Sequence, residues 1–277
     1  MHPAWMYALK SAQRLSRAVR VEWEDGLSAQ FTYVWLRDNS QRRPSLLHLD
    51  LNAKPQEVDY SDGKLSVVWP PFLPSSYSSR FLRDHSCVKP AQNISCPSTK
   101  KVLTVPWRIQ SRPSFEDNSH MATIEWGERA TEHGTVWPHF EKVPSIVTVE
   151  TLTPNGKVHL VDAVTALTTM AQTHPDLFSF LSSNPIEYEH GFFKASHNVA
   201  AIQDNKVISA VFNNELRSSE ITVNCLDLLY RSLKTFNRIC CEMMHTIYLN
   251  PGDLLVVDNS QTFVGAPAQI LIPFDES

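Results

Sequence analysis

Apolar and polar residues alternate with period two in several short stretches of this chain, and turn residues separate the stretches. Val19, Val21 and Trp23 alternate with polar neighbours, Glu24-Asp25-Gly26 turns the chain, and Phe31, Tyr33 and Trp35 alternate again. Two such runs around an Asp-Gly signal predict a β-hairpin. Tyr60-Ser61-Asp62-Gly63 marks a further turn ahead of a strand at Leu65 to Trp69. Together they predict a small β domain over residues 17–90. Serine, proline, asparagine and lysine then dominate, and residues 91–120 read as a linker.

The second half mixes the two periods. Val158 to Asp162 predicts a strand, with Asp162 as the cap of a helix whose apolar face is Val164, Leu167, Met170 and Ala171. His174-Pro175 ends that helix, and Asp176 to Ser183 predicts a second. Val207 to Phe212 predicts a strand. Leu226, Leu229, Tyr230, Leu233, Cys240, Met243 and Met244 follow helical spacing, with Asn224 as candidate cap. In Tyr248 to Ala266 the order is turn, strand, turn, strand. Pro251-Gly252 suits the centre of a type II turn, since proline presets φ and glycine tolerates a positive one. Leu254 to Val257 is a short apolar run, expected of a strand buried on both faces. Asp258-Asn259 closes it, and the whole stretch predicts a hairpin in a sandwich.

Composition narrows the class. With 277 residues, 42% hydrophobic, the chain can bury a substantial core. A net charge of −4 without a basic block argues against nucleic acid as a partner. No apolar run is long enough for a membrane span. The five cysteines include no C-x-x-C pair and read as reduced thiols of an intracellular protein. Residues 1–16 form a basic segment carrying Lys10 and Arg14; it is read as a short basic helix or frayed end, or alternatively as a transit peptide. That leaves a cytoplasmic or a mitochondrial location.

Several of these stretches resemble one family. Pro251-Gly252-Asp253-Leu254-Leu255-Val256-Val257-Asp258-Asn259 resembles a hairpin of the γ-butyrobetaine and trimethyllysine dioxygenases, the iron and 2-oxoglutarate hydroxylases of carnitine synthesis. Trp35-Leu36-Arg37-Asp38-Asn39 and Val67-Val68-Trp69-Pro70 resemble the amino-terminal domain of the same enzymes, and Phe212-Asn213-Asn214 with Arg217 resembles a further motif. The resemblance covers about residues 19–107 and 133–265. It implies a mainly β fold with some α: a small amino-terminal β domain, then an incomplete double-stranded β-helix, or jelly-roll, core over residues 121–277. It also implies Fe(II), 2-oxoglutarate and a small trimethylammonium substrate.

The residues that would carry this chemistry are largely replaced. His133-Gly134-Thr135 resembles the family's His-x-Asp strand, in which imidazole and carboxylate point the same way and share one metal. His133 keeps the first ligand and Thr135 replaces the carboxylate. An alternative matches residues 132–136 to an earlier strand of the family and removes the motif altogether. Val264 stands where the family has its third ligand, a histidine, and Gln269 where it has the arginine that pairs with 2-oxoglutarate. A neutral amide cannot give the bidentate, charge-assisted pair of a guanidinium. Asn214, then Asn213, are carried over as contacts to a substrate carboxylate, with a strand-ending turn as the bland reading. The zinc-binding cysteines of γ-butyrobetaine dioxygenase are absent after Asn39, so no zinc is expected. None of these residues is expected to be catalytic in its own right.

Three readings follow. The first is a catalytically impaired member of the dioxygenase family, a pseudoenzyme. The second is a divergent active hydroxylase using His133 and further ligands such as His139. The third is an interaction module built on the β domain. Open strand edges in an incomplete core would also invite pairing with a second copy, giving a homodimer.

Overall fold

A computed structural model describes residues 8–61, 63–86, 123–124, 133–151, 154–221, 225–265 and 269–274. The linker expected at 91–120, Cys87, Cys96 and the candidate cap Asn224 lie outside the described residues. The fold is mainly β with some helix.

The amino-terminal part repeats one theme. Strands β1 (Leu9–Arg14), β2 (Ala18–Trp23) and β3 (Ser28–Thr32) form an antiparallel sheet that leads into helix α1 (Tyr33–Asp38). Strands β4 (Glu57–Ser61), β5 (Lys64–Trp69) and β6 (Leu73–Ser78) form another that leads into α2 (Ser79–Asp84). Thr32 and Ser78 cap the two helices, each side-chain oxygen accepting from the backbone N–H three residues on.

Two expectations fail here. Lys10 and Arg14 lie in a strand, not a basic helix: Lys10 Nζ meets Glu22 at 2.6 Å across the sheet, and Arg14 donates to the carbonyls of Pro55 and Gln56. Tyr33 and Trp35 do not continue β3. Thr32 starts a helix there, and Tyr33, Val34, Trp35 and Leu36 are all buried, a pattern no half-exposed strand gives.

The rest of the described chain consists of β7 (Thr123–Ile124), β8 (Ile146–Glu150), β9 (Gly156–Asp162), α3 (Ala163–Thr173), α4 (Pro175–Ser183), β10 (Ile186–His190), β11 (Phe193–His197), β12 (Ala200–Gln203), β13 (Lys206–Ala210), α5 (Leu226–Glu242), β14 (His245–Leu249), β15 (Leu254–Asp258), β16 (Thr262–Gly265) and β17 (Gln269–Phe274). Asp162 caps α3 as expected, accepting from Thr165 N at 2.8 Å, and α4 starts at Pro175, where a missing N–H costs nothing. Helix α5 buries Leu229, Tyr230, Leu233, Phe236 and Cys240 in a core running from Val19 to Phe263, so the amino-terminal sheets and the later elements share one apolar interior.

Two sheets face each other at the carboxyl end, ordered β15-β8-β17-β7 and β14-β9-β16. The stretch expected to be a hairpin is a crossing between them. β15 pairs β8, whereas β16 pairs β9. The turn before β15 is as expected, with Gly252 at φ 95° and Asp253 N donating to Asn250 O at 2.9 Å. The expectation that β15 is buried on both faces is wrong. As an outer strand among the described residues, it leaves Leu254 and Val256 57% and 61% exposed and turns Val257 inward. A small apolar cluster of Val136, Val147, Val149, Val158, Leu249, Val257 and Val264 fills the space between the sheets.

Candidate functional site

The expected iron-ligand positions meet along one short segment, residues 133–136. Gly134 pairs with Val264 on β16, each N–H donating to the other's carbonyl at 3.1 and 3.0 Å. On its other side Thr135 N donates to Phe212 O at 2.7 Å, and Phe212 N donates to the Thr135 hydroxyl oxygen at 3.0 Å. The segment therefore extends the β14-β9-β16 sheet. Glycine is required at 134, because a Cβ there would stand 2.7 Å from Phe212 O and 2.9 Å from Asn213 Cα.

Loop residues on both sides are clasped by one amide. Asn259, fully buried, accepts from Val136 N at 2.9 Å and donates to the carbonyls of Val136 and Pro144 at 3.0 and 2.9 Å. Asp258 bonds locally instead, accepting from Ser260 N and Oγ. The Asp-Asn pair thus both closes β15 and holds the 136–144 loop against it.

Directly opposed residues of an antiparallel pair share a face, and neighbours along a strand alternate. Gly134 and Val264 share one face, so His133 and Thr135 take the other. The packing agrees. Val136 and Val264 lie in the inter-sheet cluster, whereas the buried His133 ring stacks near the ring of Phe263 at 6.3 Å and 19°. The structure brings the backbones of the expected ligand positions together but sends the side chains of His133 and Val264 to opposite sides.

The residues present do not fit an iron ion held in the family's manner. Val264 offers only hydrocarbon, and the fully buried Thr135 hydroxyl oxygen already accepts from a main-chain N–H. Among the described residues no group of three or more His, Cys, Asp or Glu is placed to hold a metal ion.

The two asparagines part company. Asn213 donates from Nδ2 to Thr135 O at 3.1 Å and accepts at Oδ1 from Glu215 N and Leu216 N, the turn that ends its strand. Asn214 faces the other way, its Oδ1 accepting from Arg217 Nε and Nη2 at 3.4 Å. Gln269 opens β17 opposite Ile124.

Arg217 leads to a site that sequence reasoning missed. Asp38, at the end of α1, accepts from Arg217 Nη2 at 2.7 Å, from the Tyr230 hydroxyl at 2.8 Å and from Arg43 Nε at 3.2 Å. All of Asp38 is buried and only 2% of the Arg217 side chain is open. Burial alone would raise the Asp38 carboxyl, but Arg217 and Arg43 reverse this and hold it well below the usual carboxylate range. Burial, and then Asp38 itself, pushes the Tyr230 hydroxyl up. An open cleft of about 300 Å³ lies beside this cluster, lined by Arg43, Glu189, Glu215 and Arg217 among others. Asp38 and Arg217 both belong to motifs visible in the sequence. Their partnership across the chain has no local signature.

His139, named above as a further ligand, sits in the loop after residue 136. Its ring lies 5.2 Å from that of His190 and 4.6 Å from Phe140. Burial, with His190 acting in the same direction, pushes its pKa down to about 4.

No family model matches this sequence. It is 37% identical over 97 residues to a trimethyllysine dioxygenase of Meyerozyma guilliermondii, a match covering 31% of this chain and 23% of that protein. The chain thus spans about a quarter of the length of that curated relative. Similar solved structures include a taurine dioxygenase from Burkholderia xenovorans, with a TM-score of 0.44 and 12% identity over 56% of this chain and 63% of that one. Another is asparagine oxygenase in complex with Fe(II), 3-hydroxyasparagine and succinate, with a TM-score of 0.40 and 12% identity over 50% of this chain and 47% of that one. A third is PvcB, an Fe, α-ketoglutarate dependent oxygenase, with a TM-score of 0.42 and 9% identity over 57% of this chain and 63% of that one.

Proposed function

We propose that this chain keeps the framework of an iron and 2-oxoglutarate oxygenase of the γ-butyrobetaine or trimethyllysine type and has lost the means to hold iron in it. Its role on this reading is to bind rather than to turn over, with a small β domain at 17–90 ahead of a jelly-roll domain within 121–277. The named relative motivates the family. The sheet orders support the jelly roll: adding the 133–135 segment beside β16 gives two four-membered sheets, and the chain crosses between them at β8 to β9, β14 to β15, β15 to β16 and β16 to β17. Eight segments in two facing sheets is an arrangement that a jelly roll uses.

The observation that carries the loss of iron is the pair Thr135 and Val264. One hydroxyl oxygen takes a backbone hydrogen bond, and the other position is an isopropyl group inside an apolar cluster. Neither can replace a carboxylate or an imidazole as a ligand. The amide of Gln269 weakens the case for 2-oxoglutarate in the same direction.

The test is anaerobic reconstitution with Fe(II), followed by metal analysis and a succinate assay with 2-oxoglutarate and either γ-butyrobetaine or trimethyllysine. We expect iron far below one equivalent and no succinate. One equivalent of iron together with substrate-dependent succinate would overturn the proposal and favour a divergent active hydroxylase.

A further inference from the structure

Two histidines outside the expected iron positions come together where the 136–144 loop meets the β10–β11 hairpin. His139 is 4% exposed, and its Nδ1 is shut off from solvent with no hydrogen-bond partner among the described residues. A buried ring nitrogen left without a partner is costly, and in native structures it calls for an explanation. His190 is the last residue of β10, at the mouth of a tight turn in which Gly191 takes φ 61°.

The His139 ring is packed by Phe140 at 4.6 Å and Phe193 at 6.2 Å, while His190 faces it from the exposed end of β10. Phe140 and Phe193 also pack edge to face on each other at 5.3 Å. His197 on β11 contacts Phe140 O through Nε2 at 2.8 Å, tying the loop that carries His139 to the hairpin that carries His190. The pair therefore sits on two separate elements whose relative position is set by packing, as a chelating pair requires.

The spacing suits an ion. A tetrahedral metal about 2.1 Å from one nitrogen of each ring would set the ring centroids about 5 Å apart. The observed separation is 5.2 Å. We propose that His139 and His190 form a two-imidazole site for a divalent transition-metal ion of the zinc, nickel or copper class, with water completing its coordination. Imidazole is the ligand these ions share. His139 Nδ1 is the donor atom on the loop side, and coordination gives it the partner it lacks. The site uses neither His133, Thr135 nor Val264, so it stands or falls independently of the oxygenase reading.

The test is calorimetric titration of the full chain with zinc chloride, repeated for His190→Gln and for His245→Gln as a control on an exposed histidine of β14. His190 is exposed at the hairpin, so its replacement leaves the core packing alone. We expect about one zinc ion per chain, at least a tenfold loss of affinity in His190→Gln, and no change in His245→Gln. Loading with Co(II) should give the visible absorption of a tetrahedral nitrogen and oxygen site, lost in His190→Gln. Absence of zinc binding in the parent chain would overturn the proposal. So would unchanged zinc affinity in His190→Gln, which would place the ion elsewhere, for instance at the exposed Cys225.

Discussion

Asp38 and Arg217 form a buried ion pair at 2.7 Å between residues 179 positions apart. It joins the end of α1 to the segment after β13, and Tyr230 on α5 completes it from a third direction. Breaking such a pair from one side strands the other charge in a medium that cannot solvate it. We expect Asp38→Ala to lower stability by about 4 kcal/mol, read as a shift of the urea midpoint at pH 7. A shift of a few tenths would show that water reaches Arg217 freely. The effect has a pH signature. Asp38 has a folded pKa held below its ordinary value of 3.8, so its stabilisation is complete above that value and is lost as pH falls below it. The parent and Asp38→Ala should converge in strongly acidic buffer and differ fully at neutrality.

His139 acts in a different window. Its pKa is 6.5 in the unfolded chain and about 4 in the folded one. Below 6.5 the unfolded chain binds a proton that the native state refuses, so stability falls with pH between those values. The full effect is on the order of 3 kcal/mol at the foot of that window. Urea unfolding at pH 7.5 and pH 5 should show the parent losing stability and His139→Leu losing distinctly less. Equal slopes in the two proteins would sink the idea.

Asn259 is the third test. It satisfies both main-chain groups of Val136 and the carbonyl of Pro144 from a site closed to solvent. Removing the amide leaves a buried N–H and buried carbonyls without a partner. Asn259→Ala should cost about 3 kcal/mol, and amide hydrogen exchange should accelerate in residues 136–144 more than in α5. Uniform acceleration would mean that the clasp is not local.

What the sequence made legible was local. Asp162 caps α3 because an acid before an amphipathic run satisfies that helix's own orphan N–H groups, and Gly252 turns the chain because its neighbours demand a positive φ. The misreadings were cases in which tertiary partners decide. Phe31, Tyr33 and Trp35 alternate like a strand, yet Thr32 caps a helix whose first residues are all buried, Tyr33 against Trp69 and Trp35 against Phe31 and Phe81. Leu254 to Val257 is uniformly apolar, but whether both faces are covered depends on where β15 falls in its sheet. The site divided in the same way. The motifs placed His133, Thr135, Asn213 and Val264 in one neighbourhood, whereas the direction of each side chain depends on the pairing of Gly134 with Val264. The pairing of Asp38 with Arg217 was beyond any window-based reading.

That pairing direction gives the last prediction. Residue identities alone suggest that Thr135→Asp with Val264→His would rebuild an iron triad around His133. The structure argues otherwise. Position 264 shares its face with Gly134 and Val136, inside the apolar cluster of Val147, Val149 and Val257, while positions 133 and 135 face Phe263 and Phe212. The new imidazole would enter the gap between the sheets and the new carboxylate the opposite interior, where its charge would be taken out of water. We expect the double variant to be less stable than the parent by about 3 kcal/mol and to bind no more Fe(II) by metal analysis after anaerobic loading. A rise to one equivalent of iron, with stability restored by the metal, would mean that the two faces exchange and that the pairing seen at Gly134 is not what sets the direction of these side chains.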